Sequence, residues 1–139
     1  MKPEQGVEVR IREALLEILR PDQLHIIKGY FEDTLDTNLP NSRAALIHVD
    51  CDLYASAKYV LQKVMERNLF QDGCLLLFDD FNCNRGNPMM GERRALREAF
   101  HGQSRFSYSP FITYGWHGQA FIVHDKLATQ ALSELKKSV

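Results

Sequence analysis

A single α/β domain is the fold class this sequence predicts, and three observations predict it. Short apolar runs that read as strands alternate with segments of helical periodicity. Two of those runs end in paired aspartates. No repeat, low-complexity tract or linker divides the 139 residues. Alternating strands and helices imply βαβ units and a mainly parallel sheet, and a 16.0 kDa chain is long enough to bury a core of its own.

The elements follow in chain order. Val7, Ile11, Leu15 and Ile18, with Ala14 and Leu19, recur at three- and four-residue spacing and predict a helix over 7–19, with charges on its other face. Arg20-Pro21-Asp22 stops it, because proline disfavours helical geometry in the residue before it. Residues 24–31 are a short strand candidate, and 36–42 read as a loop from Asn38, Pro40 and Asn41. Ala44-Ala45-Leu46-Ile47-His48-Val49 lacks clean alternation, as expected of a strand covered on both faces, and ends in Asp50-Cys51-Asp52. Ala57, Val60, Leu61, Val64 and Met65 form the apolar stripe of a helix over 54–67. A Gln71-Asp72-Gly73 turn then feeds a strand over 74–78, which ends in Asp79-Asp80. A Gly/Pro/Asn-rich loop over 81–90, a helix over 91–100, two closing strands over 106–116 and 119–124 and a last helix over 126–137 complete the chain.

Composition narrows the chemistry. With 17 basic and 18 acidic side chains, a general binder of nucleic acid or anionic membranes is not expected. The longest apolar runs fall far short of the roughly 20 residues that cross a bilayer. The polar start resembles no secretory signal. Three cysteines without CxxC spacing point to reduced thiols in a cytoplasmic setting.

The acid pairs are the most informative feature. In open α/β sheets, ligands bind beyond the carboxyl ends of the strands. Asp50 and Asp52 stand two apart, so an extended backbone aims both to one side; a turn after the second strand can bring Asp79 and Asp80 towards the same point. Carboxylates gathered this way stay ionised together only beside a cation, and oxygen ligands favour a hard one, magnesium above all. Each pair also has a plain structural explanation: Asp50 as a helix cap, Asp52 as a first-turn acid, Asp79-Asp80 as turn residues. By its place inside a strand His48 is expected to be a core histidine, Arg85, Arg93 and Arg94 a solvated face, and Phe111, Tyr114 and Trp116 core aromatics. Cys51, between two acids, should have a raised pKa and be a poor thiolate.

Four motifs then occur in order: Gly29-Tyr30-Phe31-Glu32-Asp33-Thr34-Leu35; Ile47-His48-Val49-Asp50-Cys51-Asp52-Leu53-Tyr54-Ala55-Ser56; Phe78-Asp79-Asp80-Phe81; and Gly91-Glu92-Arg93-Arg94-Ala95. Together they resemble the macrocin O-methyltransferase family, class I enzymes that use S-adenosylmethionine to methylate sugar hydroxyls. The resemblance implies a Rossmann-like methyltransferase sheet, a magnesium site at Asp50, Asp79 and Asp80, Asp52 as general base, and a loop over 82–90 that covers the site and shapes acceptor choice. It also implies a small-molecule hydroxyl acceptor such as a sugar. Against the family pattern the chain reads as truncated: it starts near the helix before the third strand, without the first two strands and the glycine-rich turn, and no residue is assigned to the methyl donor. Impaired activity of this chain alone is the corresponding expectation. So is an open sheet edge, filled either by residues 24–31 or by a second copy in a homodimer.

Two other readings compete. Asp-x-Asp followed by Asp-Asp also resembles phosphatases of the haloacid dehalogenase type, although Leu53-Tyr54 departs from their first motif and the interval to Asp79 leaves little room for their others. A non-catalytic domain that binds a partner through its open edge is the third.

Overall fold

The computed structural model describes residues 6–137. Its elements are α1 (Val7–Leu16), a 3-10 turn (Pro21–Gln23), α2 (Phe31–Asn38), β1 (Ala44–Val49), α3 (Tyr54–Glu66), β2 (Phe70–Phe78), a second 3-10 turn (Asn84–Gly86), α4 (Gly91–Phe100), β3 (Phe106–Tyr114), β4 (Gly118–Asp125) and α5 (Lys126–Lys137). The polar start, which resembles no secretory signal, lies for its first five residues outside the described residues.

The four strands form one sheet in the order β1-β2-β4-β3. β1 and β2 are parallel and joined through α3, the expected βαβ unit. β1, β2 and β3 share one direction, as the mainly parallel sheet expected from the sequence requires, while β4 alone is reversed and pairs antiparallel with both β2 and β3. The reason is local: the short turn after Tyr114, with Gly115 at φ 56°, folds β3 and β4 into a hairpin, whereas parallel strands need a long crossover.

α3 buries Ala57, Leu61 and Val64, one row of a helical face, and α4 buries Ala95 and Leu96. The two helices pack on each other and on one face of the sheet, against Val49, Cys74, Leu76, Phe78, Phe121 and Val123. Aromatic rings fill this core at both ends of the sheet. Phe70 meets Phe100 and Phe106; Phe121 meets Phe78, Phe81 and Tyr108 at 4.9–6.1 Å between centroids.

The opposite face is less covered. Register places Leu46 and His48 of β1, Leu75 and Leu77 of β2, and Ala120 and Ile122 of β4 on it. Leu46 is 55% exposed, so β1 is not covered on both faces as its unbroken apolar run suggested.

Residues 24–30 are irregular rather than a strand, a further correction. An extended segment is stable only with a ladder partner, and none lies beside it among the described residues. Gly29, at φ 148°, turns the chain, and hydrogen bonds from the N–H groups of Asp33 and Thr34 to the Tyr30 carbonyl start α2. The free edge of β1 is therefore not filled by this segment. β2 begins earlier than expected. Gln71-Asp72-Gly73 does bend the chain, with Gly73 at φ 80°, but as a bulge inside a strand whose ladder resumes at Leu75.

Candidate metal and acceptor site

Because β1 and β2 are parallel and neighbours, both acid pairs emerge at the same edge of the sheet. The Asp79 N–H donates to the Val49 carbonyl at 3.1 Å and carries the ladder one step past the strand ends. At the tip of β1, Asp52 is a non-glycine residue at φ 52°, and the Leu53 N–H donates to the Cys51 carbonyl across it. A tight turn of this kind is strained for any residue with a Cβ. It replaces the extended backbone assumed from the i, i+2 spacing, yet still brings Asp52 next to Asp50.

One carboxylate oxygen each from Asp50, Asp52 and Asp80 lie within 4.8 Å of one another. Opposite oxygen ligands of a divalent ion are separated by about 4–5 Å, so the trio fits such an ion. Contact between the Asp52 and Asp80 carboxyls splits their behaviour: sharing a hydrogen bond with Asp80 raises the pKa of Asp52, and the same contact, with a bond from Cys83 Sγ at 3.0 Å, lowers that of Asp80. Asp79 is set apart from the trio. Its Oδ1 lies 3.9 Å from His48 Nε2.

Beneath the acids sits a residue the sequence did not single out for chemistry. Glu92, in the first turn of α4, is 1% exposed. Its Oε2 accepts the Asp80 backbone N–H at 3.1 Å, while Oε1 has no hydrogen-bond partner. Burial pushes this carboxyl up to about 7; the N–H groups of Asp80 and Cys51 pull it down, and the charges of Asp80 and Asp50 push it further up. The signal was available, since Glu92 precedes Ala95 and Leu96 by three and four places and so falls on the buried stripe of its helix.

Around this centre the other candidates divide. His48 is exposed, not a core residue; its Nε2 is 3.3 Å from the Tyr114 hydroxyl. Tyr114 lies across Gly118, which has no side chain to block it, and burial followed by the charges of Asp79, Glu92, Asp50 and Asp80 pushes its hydroxyl up to about 12. Phe111 and Trp116, expected in the core, are exposed, because they sit on the hairpin beyond the reach of α3 and α4. Arg93 is no solvated bystander: it stacks on Phe81 at 4.7 Å, donates to the Phe81 carbonyl at 3.1 Å and binds the Asn82 side chain, fixing the loop over 81–90. Arg94 is held by Glu98 at 2.7 Å and stacks on Tyr54. Burial, then the charges of Glu92, Asp50 and Asp52, pushes the Cys51 thiol up to about 12, in the direction the sequence indicated.

With this geometry in view, comparison with known proteins is informative. Residues 8–100 match the family described as Macrocin-O-methyltransferase (TylF). The chain belongs to that family. A provisionally named O-methyltransferase from Klebsiella pneumoniae, solved by crystallography, shares its fold with a TM-score of 0.61 at 18% identity, over 87% of this chain and 59% of that one. The chain thus spans about three fifths of that structure, and its sheet is the Rossmann-like one of this macrocin O-methyltransferase family. No curated protein matches it. No helix among the described residues is long and apolar enough to cross a membrane.

Proposed function

We propose that this chain carries the hydroxyl-activating part of a magnesium-dependent O-methyltransferase that takes its methyl group from S-adenosylmethionine. The convergence of Asp50, Asp52 and Asp80 within 4.8 Å, over a buried and half-satisfied Glu92, carries the reading. Exposed acids often cluster without an ion; a nine-tenths-buried carboxyl beneath the cluster with an unused oxygen is much less common.

Asp50 and Asp80 would hold the cation, with Asp79 beside them on the rim next to His48. When bound, a divalent ion lowers the pKa of a hydroxyl that touches it and fixes its orientation. Asp52 is the general base of this reading. Its carboxyl touches that of Asp80, and the strained turn at Asp52 keeps it beside the acids that would hold the cation, within reach of a hydroxyl bound there. The acceptor is a small molecule bearing a hydroxyl, a sugar in the first instance. Tyr114 and His48, in contact with each other, and the loop fastened by Arg93 are the groups near the acids that an acceptor would meet. The phosphatase reading loses its basis with membership of a methyltransferase family.

Calorimetry tests the proposal with magnesium and S-adenosylmethionine, each alone and together. Saturable magnesium binding in the absence of the methyl donor is the expected result. A folded protein that gives no heat with either would favour the interaction domain instead. A cytoplasmic location and a homodimer across the free edge of β1 belong to the same reading; a strict monomer by light scattering at high concentration would remove the dimer.

A further inference from the structure

We infer that Glu92 is a positioning residue, which sets the spacing of the two acid-bearing strand tips by holding the Asp80 backbone while facing the Cys51 backbone. The inference rests on the metal reading above. Asp50 and Asp52 flank Cys51, and Asp80 follows the last residues of β2, so the two halves of the trio belong to separate strand ends, whose acids meet each other only through the exposed contact between the Asp52 and Asp80 carboxyls. Glu92 arrives from a third element. Its Oε2 takes the Asp80 N–H at 3.1 Å, and the Cys51 N–H acts on the same carboxyl. One buried group thus fastens the backbone at one acid and faces the backbone between the other two.

The location on α4 gives this tie rigidity. Ala95 and Leu96, one turn on, are fully buried against α3 and the sheet. Further along, Glu98 accepts hydrogen bonds from Tyr54 at 2.6 Å and from Arg94 at 2.7 Å and pairs with Lys58 at 3.4 Å, which locks α4 to the start of α3, four residues past Asp50. A buried carboxylate oxygen with no partner is costly. Its retention directly beneath three converging acids is accounted for if the group orients the residues that hold a cation, as outer-shell partners do in metal sites.

Manganese, a spectroscopic substitute for magnesium, provides the test. Its affinity is read from the electron paramagnetic resonance signal of the free ion for the wild type, Glu92→Ala and Glu92→Gln, each first checked for folding by circular dichroism and thermal melting. We expect Glu92→Ala to weaken manganese binding tenfold or more in protein that is still folded. Glu92→Gln keeps an oxygen for the Asp80 N–H and should recover part of that loss. Variants that melt earlier but bind manganese as the wild type does would show a purely structural role and overturn the inference. If Glu92→Ala does not fold, Glu92→Gln decides alone: unchanged affinity, with the Asp80 amide resonance unmoved, overturns it. A wild type that binds no manganese would instead overturn the metal reading itself, so the two failures are distinguishable.

Discussion

Gly118→Ala isolates one contact beside the site. A Cβ on Gly118 would meet the Tyr114 ring at 2.5 to 2.8 Å, closer than any real contact, while the backbone there is outside the left-handed region and accepts alanine without strain. The cost therefore comes from the ring alone. Overpacking costs about 1–3 kcal/mol, and the half-buried ring can swing outward, which favours the lower half of that range. Losing the 3.3 Å contact with His48 adds about 0.5 kcal/mol. A total of about 1.5–2.5 kcal/mol corresponds to a fall in Tm of roughly 5–8 °C for a chain of this size. Urea unfolding of the wild type, Gly118→Ala, Tyr114→Ala and the double variant forms a cycle. The alanine should cost almost nothing once the ring is gone, giving a coupling of about 1.5–2.5 kcal/mol. Additivity within about 0.5 kcal/mol would refute the placement of Tyr114 over Gly118.

Three further outcomes are expected. Asp125, 1% exposed, is gripped by Arg105 at 3.0 and 2.7 Å and accepts the Leu127 N–H at the start of α5, so Asp125→Ala should destabilise the fold by about 3 kcal/mol in urea unfolding, and a loss below about 1 kcal/mol would contradict the pairing. The Arg105 guanidinium holds the Asp125 carboxyl below its ordinary value; its contribution is full above the unfolded-state pKa of about 3.9 and disappears as pH falls through the lower folded value, so the difference in Tm between wild type and Asp125→Asn should shrink from pH 7 to pH 2. Burial raises the Cys51 and Cys74 thiols to about 12 and 11, and a hydrogen bond to Asp80 raises Cys83 to about 11; iodoacetamide at pH 7.5 should label all three slowly in folded protein and rapidly in urea, and fast native labelling of Cys51 would count against its setting among the acids.

Local signals were legible where local forces decide. The stripe of Ala57, Leu61 and Val64 specified α3, and the run over 44–49 gave β1 with its bounds unchanged. The segment over 24–31 misled because apolar residues make a strand only when a ladder partner exists, which no short window of sequence reports. The placement of β4, reversed and inserted between β2 and β3, was not visible for a related reason: a hairpin between β3 and β4 reverses direction without changing either strand's own pattern. At the site, paired acids at strand ends were visible from spacing, and the parallel pairing of β1 and β2 is what brings them to one edge. The separation of Asp79 from Asp80 was not visible, since two adjacent residues after a strand diverge or converge according to the turn, and here His48 lies beside the first. Nor did the sequence announce that a single side chain on α4 would reach beneath two strand tips.

Where a divalent ion sits can be read directly from the amide spectrum of 15N-labelled protein titrated with substoichiometric manganese. Paramagnetic broadening should be strongest around Asp50, Asp52 and Asp80 and extend to Glu92, and excess magnesium should restore those signals. Broadening centred elsewhere, at the exposed acids of α2 for example, or spread evenly over the surface, would contradict a cation site at the tips of β1 and β2.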